Sequence, residues 1–396
     1  MSSKKFFFTS VLVSTMLLLY FSSSATIRRV GFFGIPLPGV DYATFALAQT
    51  ASTAGDTILV FPVAASSSLV YGNVDKKLII IGTGNWLDSS AVPKGNAGMQ
   101  AFSATTPIYS TLAFRTGSSG SVIMGFDFAG QTVYIGDNNI TLRRNLNMVV
   151  NLAYNPNPAG TSVAIAINNL QILENYHLVL QTYYSNGFTQ SNLNISNNFM
   201  NYVSLSVGNN YNGNFSNNVW AYDGTLSPAN NGGSATLSGG QGIDFGNGSF
   251  LFQNNILCSY TNAAVASNFN YFVFANANNT VFNYNLALQS YNFNSWGIAG
   301  TGNVTTPISN FNSIFQGFPA VGTRTADDRY QLGAVSPALI SNRPGSTADA
   351  GIYGGNSPYK LSMIPSIPTI YRLSSPQGNN PPGSTIQINL STRSNN

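Results

Sequence analysis

Along the middle of this chain an apolar residue, two variable residues, an asparagine and a second apolar residue recur together. The clear copies are Leu142-Arg143-Arg144-Asn145-Leu146, Ile195-Ser196-Asn197-Asn198-Phe199, Phe215-Ser216-Asn217-Asn218-Val219, Phe252-Gln253-Asn254-Asn255-Ile256 and Phe282-Asn283-Tyr284-Asn285-Leu286. Ile167-Asn168-Asn169-Leu170 is a one-residue-shorter variant, and Phe311-Asn312-Ser313-Ile314 a weaker relative. The asparagines at 145, 169, 198, 218, 255, 285 and 312 fall 20 to 37 residues apart, about the length of one coil of a β-solenoid. The first apolar residue ends a strand with its side chain in the core. The asparagine turns the corner, where its short amide tolerates left-handed geometry, and stacked amides can hydrogen-bond from coil to coil. The second apolar residue re-enters a strand, again facing inward. Apolar and polar residues alternate in Leu193-Asn194-Ile195 and in Val203-Ser204-Leu205-Ser206-Val207, the period of a half-buried strand. These features predict an all-β chain, a right-handed parallel β-helix.

Composition narrows what such a solenoid can do. Charged residues make up 7% of the chain, and between residues 145 and 323 there is no Lys or Arg. The acids in that span are Glu174, Asp223 and Asp244. Nucleic-acid binding needs clustered cations to displace counterions from phosphates, so it is excluded for this stretch. The same span holds 38 asparagines, yet aromatic and β-branched residues are also abundant, unlike in disordered chains. Cys258 is the only cysteine, so no intramolecular disulfide forms, and its apolar neighbours mark it as a small buried hydrophobe. One histidine, one cysteine and scattered acids do not make metal-ligand spacing. No metal or other cofactor is expected.

The ends of the chain carry separate signals. Lys4 and Lys5, the apolar run 6–21 and Ser23-Ser24-Ala25 have the layout of a secretory signal peptide cut after residue 25. No later segment is long and apolar enough to span a membrane as a helix, so a secreted or cell-surface protein is expected. Residues 26–355 are read as the β-helix with its N-terminal cap, and 356–396 as a Pro-rich C-terminal tail. Residues 41–54 read as a short capping helix with Asp41 as N-cap and Phe45, Leu47 and Ala48 as its apolar positions. A solenoid must cover its first coil, because an open edge pairs with other chains. Residues 365–382 contain too much proline to continue the ladder, and 384–390 alternate as one last strand.

Gly55-Asp56-Thr57-Ile58 followed by Lys76-Lys77-Leu78-Ile79-Ile80-Ile81-Gly82 resembles the opening coils of pectin-lyase-like β-helix proteins. Tyr330-Gln331-Leu332, Ser336-Pro337-Ala338-Leu339 and Asp349-Ala350-Gly351-Ile352-Tyr353-Gly354-Gly355 resemble their last coil. Ile27-Arg28-Arg29-Val30-Gly31 and the terminal Ser391-Thr392-Arg393-Ser394-Asn395-Asn396 are similar to uncharacterised secreted β-helix proteins of the Bacteroidetes. The resemblance implies the fold; activity does not follow from it, because one fold hosts many functions. Pectate lyases of this superfamily use calcium-binding carboxylates and a basic residue on central coils, which here lack Lys and Arg. Polygalacturonases use several Asp and a Gly-His-Gly triplet, whereas the only histidine, His177, lies in Asn175-Tyr176-His177-Leu178. Asp327-Asp328, beside Arg324 and Arg329, reads as a solvated ion-pair cluster.

The remaining catalytic candidates are Glu174, His177, Tyr183 and Tyr184, since a Tyr/His pair can exchange protons with a sugar. The binding candidates are Tyr211, Trp220, Tyr222 and Tyr291, which lie near turns and, if exposed beside Asn and Gln amides, would suit sugar rings. The leading expectation is a non-catalytic protein that binds extracellular polysaccharide or another surface along its flank. A polysaccharide lyase, epimerase or hydrolase with an unconventional site, and a purely structural or adhesive solenoid, are the alternatives.

Overall fold

The structure, a computed structural model, describes residues 25–31, 41–61, 72–87, 108, 110–152, 165–182, 187–222, 241–259, 272–277, 279–289, 300–307, 311–317, 325–374 and 389–393. Of the signal-peptide reading, residues 1–25, residues 1–24 lie outside these.

Successive coils each lay strands into parallel sheets. The first sheet stacks Ile27–Val30, Thr57–Val60, Ile79–Ile81, Val122–Met124, Thr141–Arg143, Gln171–Leu173, Thr189–Ser196, Asn210–Ser216, Asn247–Gln253 and Val281–Asn283, with Ile167–Asn168 alongside. The second stacks Gly72–Val74, Leu112–Phe114, Thr132–Ile135, Leu146–Leu152, Tyr176–Thr182, Phe199–Ser204, Val219–Tyr222, Ile256–Ser259, Leu286–Gln289 and Val304–Pro307, with Gln241–Asp244 and Phe272–Ala275 beside them. The molecule is therefore an all-β parallel solenoid. One antiparallel pair, Thr369–Ser374 with Asn389–Arg393, stands apart from both sheets. The last strand covers Asn389–Arg393; of the expected strand 384–390, residues 384–388 lie outside the described ones.

Parallel pairing in register turns one position per coil into a continuous column. Ile58, Ile80, Ile123, Leu142, Ile172, Ile195, Phe215, Phe252 and Phe282 align this way, and all are fully buried. In this column the early coils contribute aliphatic side chains and the late ones phenyl rings. Phe252 and Phe282 lie 5.1 Å apart, with Phe245 and Phe274 packed against them.

At the corner following this column, asparagine side chains form a ladder. The Oδ1 atoms of Asn175, Asn198, Asn218, Asn255, Asn285 and Asn303 each accept both the backbone N–H and the Nδ2 of the ladder asparagine one coil earlier, at 2.8–3.1 Å. The coil-to-coil ladder expected from the repeat is present, with two changes of membership. Asn175 and Asn303 hold the rungs that the motif assigned to Asn169 and Asn312; Asn169 turns a different corner, and Asn312 sits in the short helix Phe311–Ile314. Nor do the ladder asparagines take up the left-handed geometry. The residue before each does: Arg144, Glu174, Asn197, Asn217, Asn254, Tyr284 and Gly302 all have φ between 53° and 70°. That positive φ turns the chain, so the next residue can point its amide along the solenoid axis.

The second apolar residue of the motif does not face the main core. Leu146, Tyr176, Phe199, Val219, Ile256 and Leu286 form a stripe in a second apolar cluster with Ile314, Phe315, Tyr330, Ala338, Ala350, Ile352, Tyr359 and Met363. The corner turns these side chains outward, and the C-terminal part of the chain runs back over them. The run 330–355, which the resemblance implies is a last coil, contains turns and short 3₁₀ segments instead of ladder strands. This strap crosses the solenoid from late coils to early ones. Arg343 donates to Tyr284 O and Asn254 Oδ1, Asn217 Nδ2 to Asp349 O, and Asn197 Nδ2 to Ile352 O and Gly354 O. Further on, Arg144 Nη1 donates to Ile364 O, and Asn85 N to Ser362 O. Packing continues on both sides of residue 355.

The N-terminal cap is shorter than the pattern 41–54. The helix spans Phe45–Ala51 and is capped by Thr44, whose side chain accepts from Leu47 N. Asp41 instead accepts from the Arg29 backbone N–H and guanidinium. Phe45 and Ala48 pack inward, while Leu47 is exposed.

Candidate binding face

Glu174 does not sit on a surface turn. It occupies the left-handed corner position and is fully buried. Its Oε1 accepts from Arg143 Nε at 2.8 Å and its Oε2 from Arg144 Nε at 2.6 Å. These cations lie just before the span that lacks Lys and Arg, and they reach across one coil. A buried carboxylate held by two guanidinium groups is a fastening between coils, and Arg144 extends it to the strap at Ile364.

His177 is separated from that cluster by its own set of contacts. It occupies a bulge, with φ 57°, between the paired residues Tyr176 and Leu178, and Asn147 holds the same left-handed position one coil earlier. Asn147 Nδ2 donates to Asp127 Oδ1 at 3.3 Å, and Asn147 Oδ1 lies 3.0 Å from His177 Nδ1. An amide oxygen only accepts, so Nδ1 carries the imidazole proton in this arrangement. Burial pushes the Asp127 carboxyl above the ordinary range. The ring lies against Tyr176, at 4.4 Å, and Phe199. Tyr183 and Tyr184 lie outside the described residues.

The aromatic candidates do not form an exposed row. Tyr211 and Trp220 are buried in the main core, and Trp220 packs on Phe252 at 5.3 Å. The Tyr211 hydroxyl, raised above its usual pKa by burial, hydrogen-bonds Thr182 Oγ1. Trp220 follows Val219 on a strand, and alternation sends the indole inward once Val219 faces the strap. The backbone of Tyr222 lies in the strand Val219–Tyr222, and Tyr291 is outside the described residues. Asp327 is not solvated: it is fully buried and accepts from Thr325 Oγ1, Asp328 N and Ser362 N. Arg324 lies outside the described residues. Burial raises the Cys258 thiol well above its usual range, as befits a packing residue.

A second set of amides faces solvent. Asn139, Asn169 and Asn192 occupy one corner in successive coils, each with positive φ (57°, 61° and 53°), and Asn212 continues the row. Asn139, Asn168, Asn169, Asn192 and Asn212 are exposed. Two residues on, Thr141, Gln171, Asn194 and Asn214 form a parallel, half-buried polar column on the outward face of the first sheet. Ile140, Leu170 and Leu193, between the columns, point into the core. Side chains link the rungs. Asn169 Nδ2 donates to Asn139 Oδ1 at 2.8 Å, Gln171 Nε2 to Asn169 Oδ1 at 3.0 Å, Asn194 Nδ2 to Gln171 Oε1 at 2.6 Å and Asn192 Nδ2 to Asn168 Oδ1 at 2.8 Å. Asn169, Gln171, Asn192 and Asn194 are thereby oriented through one Nδ2 or Nε2 hydrogen each, and an amide nitrogen carries a second. The repeat of apolar residue, two variable residues, asparagine and apolar residue carries only one asparagine site per coil. The signal for the second was the recurrence of asparagine at 139, 169, 192 and 212, which keeps step with the inner ladder.

Among the described residues, no three His, Cys, Asp or Glu side chains cluster to hold a metal ion, and no helix is long and apolar enough to cross a membrane. No protein-family model, curated protein or solved structure matches the chain.

Proposed function

We propose that this chain is a secreted, non-catalytic β-solenoid that binds extracellular polysaccharide along its flank. We take its coils as right-handed, the hand of nearly all parallel β-crossover connections. The observation that carries the reading is the exposed corner row of asparagines over four coils, joined by side-chain amide bonds to a half-buried polar column beside it. Sugars present dense arrays of hydroxyls, and an amide that has already lost its rotational freedom binds them at lower entropic cost. Affinity electrophoresis and calorimetry against a polysaccharide panel, with depolymerisation assayed in parallel, test this. Retention of at least one polysaccharide without new reducing or unsaturated ends is the expected result. Silence across the panel would sink it.

One observation favours an enzymatic alternative, the Asp127–Asn147–His177 column on three successive coils. A fixed imidazole tautomer is what a general base requires. Chain cleavage that disappears in His177→Gln would make this the leading reading. In ¹⁵N spectra the sole histidine should show a protonated Nδ1, and Asn147→Leu should remove that preference.

A further inference from the structure

Resting on the binding reading above, we infer that the amide face accommodates an uncharged, linear glycan lying parallel to the solenoid axis, with one sugar per coil over four coils. The length follows from where the face ends. In the outward column the paired residues run Ile79, Val122, Thr141, Gln171, Asn194, Asn214, Leu251 and Val281. Hydrogen-bonding side chains thus occupy four consecutive rungs, bounded by Val122 on one side and Leu251 on the other. In the corner column the amides number four as well, Asn139, Asn169, Asn192 and Asn212, with the shorter hydroxyls of Ser119 and Ser249 at either end.

The direction follows from spacing. Adjacent parallel strands lie about 4.8 Å apart, close to the rise of one pyranose in an extended, equatorially linked chain. A glycan along the axis would therefore meet one corner asparagine and one polar side chain of the outward column at every unit, whereas one crossing the strands would leave the face after a single rung.

The charge class follows from composition. None of the eight residues in the two columns is ionisable. The nearest cation along the strand, Arg143, is held by Glu174 through its Nε and Nη2 atoms. A uronate chain would place its carboxylates against amides that offer hydrogen bonds but no opposite charge, and desolvating an ion without that partner is costly. A neutral chain meets no such penalty. The aligned amides also give the face a polarity: Asn169, Gln171, Asn192 and Asn194 each donate toward an earlier residue or coil.

Calorimetry of the mature protein with β-linked gluco-, manno- and xylo-oligosaccharides of increasing length tests this, with oligogalacturonates of matched length as the charged arm. At least one neutral series should gain roughly fivefold in affinity per added sugar until the fourth unit, then level off. Oligogalacturonates should bind at least about tenfold more weakly than that series. The double variant Asn169→Ala/Asn192→Ala should lose about tenfold for the tetramer while melting like the parent. Preference for the uronates, affinity still climbing well past the tetramer, or indifference to the double variant would overturn the inference and leave flank binding standing. Absence of binding by every oligosaccharide and every polymer of the panel would overturn the binding reading itself.

Discussion

Two asparagine ladders climb this solenoid in opposite senses. In the inner one each Nδ2 donates to the asparagine of the next coil, and from Asn145 to Asn285 the side chains are fully buried. In the outer one Asn169 and Asn192 donate to the coil before, and the side chains are exposed. The inner amides have no capacity to spare. Asn198, for example, accepts twice from Asn175, and its Nδ2 donates to Ile172 O, Ser196 O and Asn218 Oδ1. The outer amides are oriented but only partly used. The same functional group is therefore cement where it is dry and a recognition surface where it is wet.

Breaking the dry side should have the larger effect. Removing one partner of a buried ion pair costs about 3–5 kcal/mol, so Glu174→Leu, which strands Arg144 beneath the strap, should lower the urea midpoint most. The double variant Arg144→Met/Glu174→Leu should recover much of that loss; no recovery would mean that the corner needs the charges themselves. Asn198→Ala orphans the backbone N–H of Asn175, takes one of the two acceptors from its Nδ2, and leaves Ile172 O without its side-chain donor. At about 1–3 kcal/mol for each buried unsatisfied group, a loss of about 2–4 kcal/mol is expected in the same assay. A loss under about 0.5 kcal/mol would contradict the cement role.

The first coils offer a titratable version of the cross-coil acceptor. Asp56 accepts from the backbone N–H of Thr26 and Thr53 and from Arg28, and these bonds hold its carboxyl down at about 2. The unfolded value is about 3.9. Its contribution to stability is therefore complete above that value and is lost as pH falls through about 2. The stability difference between the parent and Asp56→Asn should shrink over that window; a pH-independent difference would show that shape, not charge, matters there. On the wet side, Asn169→Ala should change stability by no more than about 0.5 kcal/mol. A drop as large as that of Asn198→Ala would erase the distinction between the ladders.

The spacing of asparagine and its apolar neighbours makes the coils and the core column legible in sequence. The burial of Phe252 and Phe282 follows directly from it. Membership of the ladder is harder to read, because Asn168-Asn169 and Glu174-Asn175 are both plausible corners, and only pairing of Gln171–Leu173 with Thr141–Arg143 settles which asparagine stacks on Asn145. The facing of Leu146 or Tyr176 is hidden for a related reason: a positive φ at the preceding corner reverses a side chain without altering the apolar pattern. The strap is the least visible feature. Its anchors join residues as far apart as Arg144 and Ile364, and nothing periodic links them. Trp220 and Tyr211 lie near turns in sequence, but alternation along a short strand carries both inward.

The strap also gives the fold a history. Leu146, Tyr176, Phe199, Val219, Ile256 and Leu286 are made by the ribosome before the residues that cover them, Ile314 to Met363. Coils that stack as they emerge present a greasy seam until synthesis is nearly over. During that interval the nascent solenoid is adhesive toward other nascent copies, and a chain cut short before residue 311 keeps that adhesiveness permanently. Premature termination would thus be read by the cell as aggregation, even though every coil and both ladders had already formed.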